Sequence, residues 1–158
     1  MNLLRSLVQG VKYNYLITSR PTKNSFGDYI KLLQKYNVSV VVRVCDSYYD
    51  ANILNDYNIK IYDINIGDGC VPTPDNIQTW ICILNQLDIG STIAIHCVAG
   101  LGRAPTMVVL SLIIIDKMNN IKAIELIRSK IRGSLNNKQL QFICSYKPEK
   151  TTKCCIIM

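Results

Sequence analysis

Thr92-Ile93-Ala94-Ile95-His96-Cys97 runs directly into Val98-Ala99-Gly100-Leu101-Gly102-Arg103-Ala104-Pro105. The first six residues have the composition of a buried strand. From Arg103 to about Lys117 the chain is apolar and reads as a helix. The join is therefore strand, tight loop, helix. Gly100 and Gly102 let the backbone fold into a cradle. Such a loop turns successive N–H groups inward, and the helix N-terminus adds positive potential. Together they suit a tetrahedral dianion, with Val98, Ala99, Gly100, Leu101, Gly102 and Arg103 as its binding residues. The planar fork of Arg103 matches two phosphate oxygens. The same field favours the thiolate of Cys97, and a thiolate under a bound phosphorus attacks it to give a phosphocysteine. His96 is placed to orient the loop by hydrogen bonding. The competing reading makes Cys97 an ordinary buried thiol, the commoner case for an isolated cysteine. The cysteine, the five-residue gap, both glycines and the arginine coincide at one strand-to-helix junction, which favours the first. No Gly-Lys-Ser/Thr closes the loop, so it is not a nucleotide-binding loop.

Upstream, Val11 to Thr18 alternates like a half-exposed strand. Val38 to Cys45 is almost continuously β-branched, like a central strand, and Ile59 to Ile64 is a shorter strand. Phe26 to Tyr36 has helical spacing with Ser25 as N-cap. Ala51 to Tyr57 reads as a short helix. Thr73 and Pro74 open another helix that reaches about Leu87. Downstream, helices are expected at about Ile121 to Ile131 and Asn137 to Tyr146. Strands alternating with helices predict a single α/β domain over residues 1–146, with a mostly parallel central sheet and helices on both faces. Residues 147–158 lack a core pattern and read as a weakly basic tail.

The chain has 158 residues, 49% of them apolar, which is room for one well-filled domain. Charged residues are 18%, too few for a disordered chain. The net charge of +7 suits phosphorylated substrates, acidic protein segments or anionic membrane. No basic run interleaved with aromatics stands out, so nucleic acid is the weakest candidate partner. The seven cysteines are odd in number and irregularly spaced, and charge interrupts Met1-Asn2-Leu3-Leu4-Arg5 before a signal peptide can form. They read as reduced thiols in a cytoplasmic setting. With one histidine and no Cys-x-x-Cys pair, neither a metal site nor a cofactor is expected. The apolar run Met107 to Ile115 falls short of the roughly 20 residues a membrane span needs.

The loop His96-Cys97-Val98-Ala99-Gly100-Leu101-Gly102-Arg103-Ala104-Pro105 resembles the signature loop of the phosphatases of regenerating liver, a lipid-anchored branch of the dual-specificity tyrosine phosphatases. Arg20-Pro21-Thr22, Val42-Arg43-Val44-Cys45, Tyr49-Asp50, Asn137-Lys138-Gln139-Leu140 and the terminal Cys-Cys-Ile-Ile-Met fall in the family's order. The likeness runs from about Tyr13 to Met158. It implies hydrolysis of phosphotyrosine or a related phosphomonoester, with Asp68 protonating the leaving oxygen. Asp68-Gly69 also fits a plain turn. The family's Trp-Pro-Phe-Asp before the acid is replaced here by Ile64-Asn65-Ile66-Gly67. Ala104 stands where most cysteine phosphatases carry a hydroxyl that helps sulfur leave, which implies low turnover; alanine is also simply a good helix former. Cys45 matches the cysteine that pairs with the nucleophile in the family, protecting it from irreversible oxidation. A buried spectator thiol is the equal alternative.

Cys155-Ile156-Ile157-Met158 fits a prenylation signal, with the final Met favouring farnesyl. A chance apolar terminus is the alternative. One prenyl chain holds a protein weakly; Lys147, Lys150 and Lys153 add attraction to anionic lipid of roughly 1 kcal/mol each. Attachment to the cytoplasmic face of membranes is the expectation. The resemblance also implies docking on cyclin-M-type magnesium transport proteins and self-association. Two rivals to an enzyme follow: a binding module whose pocket takes a partner's acidic loop, and a structural protein with a Cys45–Cys97 redox pair.

Overall fold

Residues rich in β-branched side chains form the middle of one sheet. Its strands are β1 (Arg5–Gln9), β2 (Asn14–Ser19), β3 (Val38–Arg43), β4 (Lys60–Asp63) and β5 (Thr92–Cys97), in the spatial order β1-β2-β5-β3-β4. β5 lies parallel to both β2 and β3, β4 is parallel to β3, and β1 runs antiparallel along β2. The computed structural model describes residues 3–46 and 48–150.

Both faces of the sheet are covered, which is why β3 and β5 read as nearly unbroken apolar runs. On one face lie α1 (Phe26–Lys35) and a 3-10 helix, Ala51–Tyr57. They bury Tyr29, Leu33 and Leu54 against Leu16, Val41 and Ala94. On the other lie α2 (Pro74–Asn85), α3 (Arg103–Ile114), α4 (Asn120–Lys130) and α5 (Asn137–Ser145). There Trp80, Met107, Leu110, Ile127 and Ile143 pack with Ile17, Val42 and Ile95. All 12 residues of α3 are buried, as a helix apolar on every side must be. Its position relative to β5 is thus set by the core itself. Trp80 ties α2 to α3 by donating from Nε1 to the Met107 carbonyl at 2.9 Å.

The expected α/β architecture, with a mostly parallel sheet between helices, is the one observed. Several details differ. β1 was not anticipated. Its sequence is short and charged, and Val8 is its one fully buried side chain; pairing with β2, not local pattern, makes it a strand. The expected strand at Val11 begins at Asn14 instead, because Gly10 N donates to Tyr13 O at 2.9 Å and Val11 N to Asp116 Oδ2 at 2.8 Å, closing a turn. Ser25 occupies the N-cap of α1 but makes no side-chain cap bond; its hydroxyl accepts from Thr22 N at 2.8 Å. Thr73 caps α2 as expected, in a reciprocal box with Asn76. Helix α3 stops at Ile114, short of Lys117, which adopts positive φ.

Trp80 is fully buried, so Trp80→Ala should cost about 3–5 kcal/mol of stability. Urea unfolding should show a lower midpoint at unchanged slope.

Candidate active site

β5 delivers Cys97, 2% exposed, to the carboxyl edge of the sheet, and α3 begins at Arg103. The loop between them is held by its carbonyl groups. Val98 O accepts from Arg20 N at 3.0 Å, Leu101 O from Leu135 N at 2.8 Å, and Gly102 O from Thr106 N at 3.0 Å and Thr106 Oγ1 at 2.8 Å. Among the described residues, no amide from Val98 to Gly102 donates to a protein acceptor. Carbonyls tied outward and amides left over make a nest for an anion. Gly100 makes the turn at φ +75°, where a Cβ would sit 2.9 Å from Thr18 O. Gly102 passes against Gln139, whose side chain would meet a Cβ at 3.0 Å.

Arg103 is 7% exposed and extends along the floor of this site. Its Nη1 donates to Ile66 O at 3.0 Å and its Nη2 lies 3.2 Å from Asp68 Oδ1. The Asp68 side chain is 95% exposed, so solvent screens the pair and an incoming anion can displace it. Ile64 and Ile66, which stand where the family's aromatic run would be, are both buried and anchor the strand-side end of the loop. Its far end is tethered to α5: Asn136 Nδ2 donates to Gly69 O at 3.1 Å and Gln139 Nε2 to Cys70 O at 3.3 Å. Asp68, Cys97, Arg103 and Gln139 line one cavity of about 310 Å³. Asn136 and Gln139 were missing from the expected site. Their Asn-x-x-Gln spacing signals the capping box that opens α5, and that box aims them at the loop.

Behind the cysteine lies a buried polar chain. His96 is fully buried, with Nε2 2.7 Å from the Tyr49 hydroxyl and Nδ1 4.0 Å from Cys45 Sγ. Arg43 donates from Nη1 to the Tyr49 carbonyl at 2.7 Å and grips Asp63 with Nε and Nη2 at 2.6 and 2.7 Å. Burial, helped by the charges of Arg43 and Arg20, lowers the His96 pKa to about 4, so the imidazole is neutral at pH 7. Burial likewise raises the Tyr49 pKa, which keeps its hydroxyl protonated. Tyr49 and His96 therefore meet as a neutral pair. The Cys45 thiol is pushed up by burial, with Arg103 and Arg20 working against that and Cys97 adding to it. Both cysteines are free thiols. The expected loop, Arg103, Asp68 and Cys45 thus gather around Cys97, and Ala104 is buried in the first turn of α3. Cys155 lies outside the described residues.

Residues 17–117 match the family model described as "Polymorphic toxin system, DSP-PTPase phosphatase". The chain is 41% identical over 155 residues to the protein tyrosine phosphatase type IVA A of Dictyostelium discoideum, spanning 96% of this chain and 93% of that one. It is 39% identical over 156 residues to the type IVA 3 enzyme of Bos taurus, with 90% of each chain covered. Among solved structures, a protein tyrosine phosphatase of Leishmania major superposes with a TM-score of 0.83 at 32% identity, covering 93% of this chain and 99% of that one.

The neutral, buried His96 carries a pH signature. In the unfolded chain it takes a proton near 6.5, in the folded protein only near 4. The unfolded state binds more protons between those values. Stability is therefore whole above pH 6.5 and is lost as the pH falls towards 4, by about 3 kcal/mol over the full window. Denaturant unfolding at stepped pH should show this loss in the wild type and not in His96→Gln, since the chain has no other histidine.

Proposed function

The chain belongs to the protein tyrosine phosphatase type IVA family, the phosphatases of regenerating liver, and is a protein tyrosine phosphatase acting on phosphorylated proteins; from that premise we propose that Cys97 is its nucleophile, Arg103 and the amides of Val98–Gly102 its phosphate cradle, and Asp68 its general acid, within a catalytic domain over residues 1–146. The observation that carries this assignment is the set of unengaged loop amides beside Cys97, with Arg103 at the following helix start. The Arg103 guanidinium donates to Ile66 O and pairs with Asp68. A bound phosphate takes over the donors aimed at Asp68. The carboxyl, still tethered above the cavity through Gly69 and Cys70, is then free to serve the leaving group.

The reaction runs in two steps. The Cys97 thiolate forms an S–P bond as the P–O bond to tyrosine breaks, and Asp68 gives its proton to the departing oxygen. The Asp68 carboxylate then takes a proton from water, whose oxygen attacks phosphorus. The S–P bond breaks and the thiolate and inorganic phosphate are regenerated. The loop amides and Arg103 stabilise the charge on the equatorial oxygens in both steps. In the second, sulfur leaves without a hydroxyl from position 104, so breakdown of the phosphocysteine limits turnover. Cys45 supplies a second thiol beside the nucleophile: a peroxide takes two electrons and two protons from the pair, leaving a Cys45–Cys97 disulfide and water. Attachment by a farnesyl group on Cys155, docking on cyclin-M-type magnesium transport proteins and self-association rest on family likeness. No helix among the described residues is long and apolar enough to cross a membrane.

With an aryl phosphate, mass spectrometry should find one phosphate on Cys97, and rapid mixing should show a burst of phenol before slow phosphate release. Cys97→Ser should abolish both; turnover surviving that change would refute the assignment. Asp68→Asn should lower the rate of phosphocysteine formation by about 10²-fold with alkyl or tyrosyl leaving groups, and less with an activated one. Cys155→Ser should shift the protein from the membrane to the soluble fraction on cell fractionation.

A further inference from the structure

Arg43, Arg103 and Arg20 lie near the Cys97 loop, and the first two each hold a carboxylate. Arg43 holds Asp63 and the Tyr49 carbonyl, and Arg103 holds Ile66 O and Asp68. Arg20 differs. Its backbone N is bonded to Val98 O at 3.0 Å, which fixes the residue to the rim of the phosphate cradle. Its guanidinium lies over the Tyr48 ring, 3.9 Å from the centroid. Among the described residues no carboxylate or carbonyl accepts from that guanidinium. A guanidinium stacked on a ring keeps its planar edge, and so its N–H donors, open to a ligand. Tyr48 is itself 72% exposed, a large ring on the surface that serves as the platform for this cation.

Arg20 and Tyr48 line a cavity of about 440 Å³ that shares Asp68, Val98 and Arg103 with the phosphate site. A group bound there sits beside a phosphotyrosine whose phosphate occupies the loop. Asp46 is on the same wall and is not ion-paired with Arg20. It opposes an anion in this cavity, and the guanidinium attracts one.

We propose that Arg20, laid on Tyr48 at the mouth of the Cys97 pocket, is a second anion subsite that reads an acidic side chain flanking the phosphotyrosine of a protein substrate. This rests on the assignment of Cys97 as the phosphatase nucleophile. The open fork of Arg20 takes the carboxylate of an Asp or Glu in a charge-assisted contact whose planar geometry matches both oxygens. Asp46 sets how much that contact is worth.

The test uses the full-length protein and phosphotyrosine peptides that differ only by Glu or Gln at the positions flanking the phosphorylated residue. At low salt the wild type should show a kcat/KM ratio of about five- to tenfold in favour of the acidic peptide, carried by KM. Arg20→Gln should bring that ratio close to one. Asp46→Asn should raise it, and added salt should compress it. A ratio near one in the wild type would overturn the proposal. So would a ratio that Arg20→Gln leaves intact, or an equal loss on both peptides, which would make Arg20 only a source of field at the cradle. An effect of Arg20→Gln confined to vesicles carrying a bisphosphorylated inositol lipid would also overturn it, assigning the subsite to a headgroup. Absence of turnover on both peptides is the distinct failure of the Cys97 assignment.

Discussion

Everything at the carboxyl edge of the sheet depends on the burial of α3. A helix exposed on one side could shift or fray; this one is enclosed over its whole length and is bonded to α2 through Trp80 and Met107. Arg103, its first residue, inherits that rigidity. Cys97, the last residue of the central strand, pairs with Ser19 of β2, and its neighbour His96 pairs with Arg43 of β3. The spacing of Cys97 and the start of α3 is therefore set by the core and not by the loop that joins them. The loop is left with a simpler task, which is to keep its amides pointed at the gap. It does so by committing the carbonyls of Val98, Leu101 and Gly102 to partners outside. An electrostatic site of this kind gains from being set before the ligand arrives, since no reorganisation is then required during reaction.

Asp68 and Arg103 are paired beside the pocket, and in the proposed reaction each has another task. An exposed carboxylate on a buried guanidinium suits that exchange. The guanidinium would be poorly placed without a partner, and the partner is screened enough to leave. The carboxyl does not drift away on release, because Gly69 and Cys70 on its far side remain bonded to Asn136 and Gln139. Two buried isoleucines hold the near side. The loop thus achieves with aliphatic burial and amide tethers what an aromatic run would otherwise supply by bulk.

The elements that sequence reveals here are those set by local chemistry. The β-branched run of β3, the Thr73-Pro74 helix start and the strand-loop-helix at Cys97 all declare themselves within a few residues. What stayed hidden was made by long-range pairing. β1 has little apolar content and exists because β2 offers it an edge. The role of Asn136 and Gln139 depends on where α5 lands against a loop nearly seventy residues earlier in the chain. Tyr48 carries no motif, and its contact with Arg20 comes from two separate chain segments meeting at the rim. Ser25 failed as a side-chain cap because Thr22, three residues back, offers its hydroxyl a nearer turn to close. Short polar side chains often choose such a local partner.

The proposed second step depends on what α3 does with its hydroxyls. Position 104 has none. The nearest candidate on the same turn is Thr106, but its Oγ1 donates to Gly102 O at 2.8 Å and so braces the loop carbonyl instead of facing sulfur. Ser111 Oγ is likewise spent on Val108 O at 2.7 Å, deep in the helix. In the proposed mechanism Arg103 stays with the phosphate oxygens, and the His96 ring is engaged by Tyr49 and lies against Tyr29. The first turn of α3 thus holds no hydroxyl free of a backbone partner. In the proposed mechanism the loop amides then stabilise the departing sulfur as well as the equatorial oxygens. In the proposed mechanism such a site captures phosphate readily and gives it up slowly, because an alanine stands where a hydroxyl would have shared the load.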